Sequence, residues 1–154
     1  MKRKNVVPVL VIATLFLTSS TAGAISIKAA GKQYMKDVAS ANAALKTFDS
    51  EIKAWTNATA DAEGEQQAAS VLTALGTLRK NLLSQTWPQF VKGGVRFICE
   101  EDISSLVEDL HMIGGNSSLG NGAFQLTFRA DSKITASDAF YVRRDLGLSS
   151  SRAL

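Results

Sequence analysis

Three constellations in this chain carry side chains with a chemistry of their own. Glu108 and His111 stand three residues apart. On a helix that spacing puts a carboxylate and an imidazole on one face, as in carboxylate-bridged di-metal bundles. Such a centre needs a second Glu-x-x-His pair, and His111 is the only histidine. The pair therefore reads as the exposed edge of an apolar stripe, and no metal or other cofactor is expected. Asp131 and Asp138 stand seven apart, two helical turns, and share a face. Fronting a cavity, two carboxylates can move protons or hold a cation; on an outer face they are solvated side chains. "EED" (Glu100 to Asp102) reads as a solvated patch. The single cysteine, Cys99, falls in an apolar run, where a thiol packs as a small hydrophobe. His111 is 12 residues further on, roughly 18 Å along a helix and out of reach of a thiol–imidazole pair. One cysteine excludes an internal disulfide and leaves open a bond between two chains. Glycine-rich phosphate loops, cysteine pairs and Ser/His/Asp sets are absent. The chain is therefore not expected to be an enzyme, which would need Asp131, Asp138 or Glu108 to converge in a cleft.

The N-terminal segment has a different purpose. Lys2, Arg3 and Lys4 precede a 12-residue apolar run, Val6 to Leu17, and "TSSTAGA" then ends in Ala22-Gly23-Ala24. This is the order of a secretory signal, with the small-x-small pattern at the cleavage site formed by Ala22 and Ala24. A spanning helix needs about 20 apolar residues, more than this run supplies. Residues 1–24 are expected to be a cleaved signal peptide of the general secretory pathway; the alternative is an uncleaved segment tethering the chain to a membrane. After cleavage no stable membrane insertion is expected. Cleavage also removes the charge bias. The whole chain has 17 basic and 14 acidic side chains, and without Lys2, Arg3 and Lys4 the numbers are equal. A nucleic-acid partner would require a basic face, so none is expected.

The remaining residues must position whatever does act. Proline occurs only at 8 and 88, and Ala, Leu, Lys, Glu and Gln dominate, which favours helix. Tyr34, Val38, Ala41, Leu45, Phe48, Ile52 and Trp55 follow alternating steps of four and three and make one helical stripe. Val71, Leu75, Leu78 and Leu82, widened by Leu72 and Leu83, make a second, capped by Thr59 or Asp61. Pro88 opens a third helix, with Val91, Val95, Cys99, Ile103, Leu106, Leu110 and Ile113 on its stripe and Gly93-Gly94 as a point of fraying or kinking. "GGNSSLGNG" (Gly114 to Gly122) reads as a loop. A fourth, less regular helix over about residues 123–146 is anchored by Phe124, Phe128, Ile134, Tyr141, Val142 and Leu146, with "FQLTF" readable instead as a short strand. Its end is more definite. Arg143 and Arg144 suit the negative end of the helix dipole, Gly147 suits a left-handed cap, and Leu148 can fold back onto the last turn.

The expected fold is all-α, an antiparallel up-down-up-down four-helix bundle preceded by a signal peptide. Its parts are a signal at 1–24, a flexible segment at 25–31, the bundle at 32–149 and a disordered tail at 150–154. Tyr34 with "ANAAL" (Ala41 to Leu45), "LLSQTWP" (Leu82 to Pro88) and "VRRDLGL" (Val142 to Leu148) together resemble a group of small exported all-helical proteins of actinobacteria. These are known mainly as uncharacterised secreted proteins or lipoproteins. The resemblance spans roughly residues 32–149 and implies an exported helical bundle with no assigned activity. Ala24 stands where a lipoprotein of that kind would carry its lipidated cysteine, so no lipid anchor is expected there.

The functional expectation is a non-enzymatic exported domain that acts through its surface on an envelope or extracellular protein. Trp87, Phe90 and the Gly114–Gly122 loop are the candidate surface. The alternative is a small-ligand carrier or sensor, with a pocket between helices lined by Tyr34, Trp55, Phe124 and Phe128.

Overall fold

The computed structural model describes residues 25–55, 61–113, 121–149 and 154. Its elements are α1 (Ile27–Ala54), α2 (Asp61–Ser84), α3 (Gln89–Phe97), a π-helical turn (Ile98–Asp102), α4 (Ile103–His111) and α5 (Asn121–Asp145). The backbone stays right-handed helical at Phe97, Ile98, Asp102 and Ile103, so α3, the π turn and α4 form one rod. Four rods result, each antiparallel to the next, and no strand occurs among the described residues. The all-α four-helix bundle is thus what the structure shows, and "FQLTF" is helical within α5.

The apolar stripes make the core. Tyr34, Val38, Ala41, Phe48 and Ile52 of α1 meet Val71, Leu75, Leu78 and Leu82 of α2 and the buried residues of the third rod. Fully burying one such side chain contributes roughly 1.5–3 kcal/mol. Three expected core positions are instead outside: Leu83, Ile134 and Tyr141 are about half exposed. On α5 the inward stripe runs through Phe124, Phe128, Thr135, Ala139, Val142 and Leu146. Two of these are small or polar, which is why the apolar rhythm of this helix is weak.

The π turn has a cause in the spacing. Val91, Val95, Cys99 and Ile103 are separated by three successive steps of four. On an α-helix of 3.6 residues per turn those steps would rotate the stripe by about 120°. A π turn takes up an extra residue and restores the phase, so that Ile98, Cys99, Asp102 and Ile103 are all buried. The Gly93-Gly94 pair, expected as a point of fraying or kinking, lies within the helix; both residues are helical. Gly94 brings α3 close to α5, since a Cβ there would lie 2.9 Å from Val142 Cγ2.

The boundaries at both ends differ from expectation. The 25–31 segment is mostly helix: the Ser26 hydroxyl accepts the Ala29 N–H at 3.2 Å, and Ala30 and Gly31 are buried. Leu154 is not loose. Its side chain is buried, its N–H donates to Asn42 Oδ1 at 2.9 Å, and its carbonyl accepts from Asn42 Nδ2 and Arg143 Nη1. The expected loop is two residues shorter than its glycines suggested at the far end, because α5 already begins at Asn121. Ala22, Ala24, Thr59 and residues 114–120 lie outside the described residues. No described helix is long and apolar enough to cross a membrane.

Candidate functional site: the α3–α5 groove and the carboxylate seam

Where α3 crosses α5 at Gly94, the helices approach closely and the larger residues on either side are left standing around a depression. This groove encloses about 160 Å³. Val91, Gly94 and Val142 floor it, and Phe90, Phe97 and Tyr141 wall it. The three rings are 58%, 52% and 51% exposed. Phe90 and Phe97 are seven residues apart, hence on one face of α3, while Tyr141 comes from α5. Tyr141 is held edge-on to Phe140, with the Arg144 guanidinium 5.2 Å from its ring centre. Asp138 and Asp145 complete the lining. Arg144 is paired with Asp145 at 2.9 Å, whereas Asp138 has no ion-pair or hydrogen-bond partner among the described residues. One carboxylate beside three exposed rings is thus left uncompensated.

Further down the same helix pair the seam turns acidic. Asp102 ends the π turn and Asp109 lies in α4; both are more than nine-tenths buried. Each has an Oδ2 that receives no hydrogen bond from the described residues. Across the seam stand Asp131 and Asp138 of α5, half-buried. The Asp131 carboxylate lies near enough to Asp109 to act on its charge. Burial, then the charge of Asp138, raises the Asp102 carboxyl to about 6, and burial, then Asp131, raises Asp109 to about 6. Thr135 is buried between Asp131 and Asp138 in sequence, but its hydroxyl turns back to the Asp131 carbonyl at 2.9 Å.

The other expected sites fall out differently. Trp87 is 8% exposed and is not a surface residue; its indole N–H closes the end of α2 on the Leu82 carbonyl at 2.7 Å, and its ring meets Tyr34 edge-on. Phe90 is at the surface as expected, in the groove. Asp131 and Asp138 do share a face, and it is the seam, not open solvent. The "EED" patch divides: Glu100 and Glu101 are exposed, Asp102 is not. Glu108 and His111 are both exposed, and no cluster of metal-binding side chains occurs among the described residues. Cys99 is fully buried and its thiol is pushed up to about 11, chiefly by burial. A disulfide to another chain would require opening the core. Of the four rings proposed to line a ligand pocket, Tyr34 is at the Trp87 end of the bundle. Trp55, Phe124 and Phe128 pack on Phe48 with ring centres 5.2–6.3 Å away. They fill their end of the core. Gly147 is the cap: its φ is +69°, and the Leu148 and Gly147 amides bond to the Arg143 and Arg144 carbonyls, both at 2.9 Å. That is the paired bonding of a Schellman motif.

Asp109 and Phe97 escaped the sequence reading, while Asp102 was read within a solvated patch and Tyr141 as a core anchor. The signal was present as matched spacing. Asp102–Asp109 and Asp131–Asp138 are each seven apart, as are Phe90 and Phe97. Comparison of the chain with protein-family models, with curated proteins and with solved structures finds no match.

Proposed function

We propose that the chain is an exported, non-enzymatic helical domain that acts by holding a protein partner in the α3–α5 groove. The observation that carries this reading is the gathering of Phe90, Phe97 and Tyr141 at one depression, each more than half exposed. Aromatic side chains clustered at a small pocket supply most of the energy in protein interfaces. The unpaired Asp138 beside them favours a partner segment that presents an apolar side chain next to a Lys or Arg. Export rests on Lys2-Arg3-Lys4, the apolar run to Leu17 and the Ala22-Gly23-Ala24 ending. The partner is then an envelope or extracellular protein.

The test is proximity labelling in the native cells, with the wild type beside a Phe97→Ala/Tyr141→Ala variant. Both side chains are half exposed, so the variant should melt within a few degrees of wild type. A partner enriched by wild type and lost with the variant supports the groove. An unchanged set of labelled proteins, or none above background, removes the reading. Sequencing the N-terminus of the exported protein checks its other half: Ile25 at the start is expected, and an intact Met1 would overturn cleavage.

A further inference from the structure

We propose that the Asp102–Asp109–Asp131–Asp138 seam is a proton-binding device that holds α4 against α5 when loaded with protons and loosens their contact when it is empty. The inference is independent of what occupies the groove. It stands first on geometry. Two aspartates more than nine-tenths buried face two more across a helix interface, and both keep an oxygen without a donor. An ionised carboxylate there leaves that oxygen without a hydrogen bond or water, which is costly; a protonated one is neutral and brings its own donor. A proton on Asp109 or Asp131 would let one carboxyl donate to the other, which two ionised carboxylates cannot do.

Among the described residues no cation offsets the seam. The charges acting on Asp102 are Asp138, Glu101 and Asp131, and on Asp109 they are Asp131 and Glu108; all are negative. On α5, Arg129 is turned to Asp49 of α1 at 3.5 Å and Lys133 is exposed. On α3, Arg96 is bound to Glu100 and Lys92 is exposed. From α2, which also packs on this rod, Arg79 acts on Cys99, while Lys80, Glu63 and Glu65 are exposed. The π turn belongs to the same argument. It restores the phase of the rod after Cys99, and Asp102, its last residue, is turned into the interface with Ile103.

The sign follows from the raised values. The folded chain keeps protons on Asp102 and Asp109 up to about 6, while an exposed aspartate releases its proton near 3.8. Between those values the folded state binds more protons than the unfolded one. The stabilisation is complete below the lower value and is lost as pH rises through the upper one. This is the reverse of an ion-paired carboxylate, whose contribution vanishes in acid. Because Asp138 lines both seam and groove, emptying the seam adds repulsion directly beneath the groove.

Carbon-13 titration of the side-chain carboxyls in the full chain tests the seam directly. Midpoints for Asp102 and Asp109 well above the ordinary aspartate value are expected; ordinary midpoints near 4 for both overturn the proposal. Urea unfolding gives the energetic counterpart. For one carboxyl with a midpoint near 6, the unfolding constant should rise about tenfold from about pH 5 to about pH 7.5. Asp102→Asn/Asp109→Asn, neutral at every pH, should remove that rise. A wild type equally or more stable at the higher pH, or an Asn variant with the same slope, overturns it. If the variant does not fold, the wild-type titration still decides.

Discussion

Gly147 and Arg143 show how differently two residues of one helix end can be read. Gly147 adopts φ +69°, which costs an L-residue with a Cβ roughly 1 kcal/mol or more. Gly147→Ala should therefore lower stability by about 1 kcal/mol in urea or thermal unfolding, although nothing lies within 4 Å to clash with the added methyl. An unchanged melting temperature would show that the cap carries no strain. This role is legible in the sequence because a helix cap is a local matter of a few adjacent residues. Arg143 was legible only in part. Both arginines are in the last turn of α5, as the dipole argument expects. Arg144 stays outside with Asp145 and Tyr141, whereas Arg143 is 2% exposed and donates to the Ser149 and Leu154 carbonyls. Those acceptors are backbone atoms, and no side-chain pattern announces them. Asp102 was read as solvated, and Asp109 was missed, for a related reason. A charged residue beside a stripe is usually solvated, and only the packing of α5 against it shows otherwise.

At the level of elements, the seam between the third rod and α5 is set by small residues at its upper end and by carboxylates below. Gly94 decides how close α3 comes. A Cβ at 2.9 Å from Val142 Cγ2 cannot be accepted without movement, and valine has little rotamer freedom in a helix. Gly94→Ala should destabilise the fold by about 1–2 kcal/mol despite the better helix propensity of alanine. Val142→Ala should restore part of that loss when added to it, and a double-mutant cycle with no coupling would place the strain elsewhere. Helix existence was readable throughout, because stripes of seven and four apolar residues are strong signals. The π turn was also written in the spacing, as three steps of four, but reading it requires following the phase of the stripe and not merely its presence. The pairing of Phe97 with Tyr141 was beyond such reading. It depends on which face of α5 turns inward, and that face carries Thr135 and Ala139 where apolar anchors were expected.

For the whole molecule, the ends of the described chain matter more than its composition suggests. α1 and α5 are the first and last helices, and several long-range contacts fasten them. Phe48 packs on Phe124 and Phe128, Asp49 meets Arg129, and Leu148 rests against α1 at Gly31. The Leu154 backbone adds a two-bond clasp to Asn42, 112 residues away in sequence, and Arg143 bonds the same carbonyl. Closing so long a loop costs entropy that only specific contacts offset. Truncation after Ser149 removes the buried Leu154 side chain and leaves Asn42 without this partner and Arg143 without one of its acceptors. The lost burial alone is worth roughly 1.5–3 kcal/mol, and a buried charged donor left short of an acceptor adds to it. The expected loss is about 2 kcal/mol. Urea unfolding of the truncated chain measures the loss, and Leu154→Ala separates its parts. Burial predicts that the alanine variant loses most of the stability with the clasp intact. If the clasp dominates, Leu154→Ala is nearly neutral and Asn42→Ala reproduces the truncation. Full stability in the truncated chain would mean that the bundle is closed without its last residues, by Gly147 and Leu148 against α1.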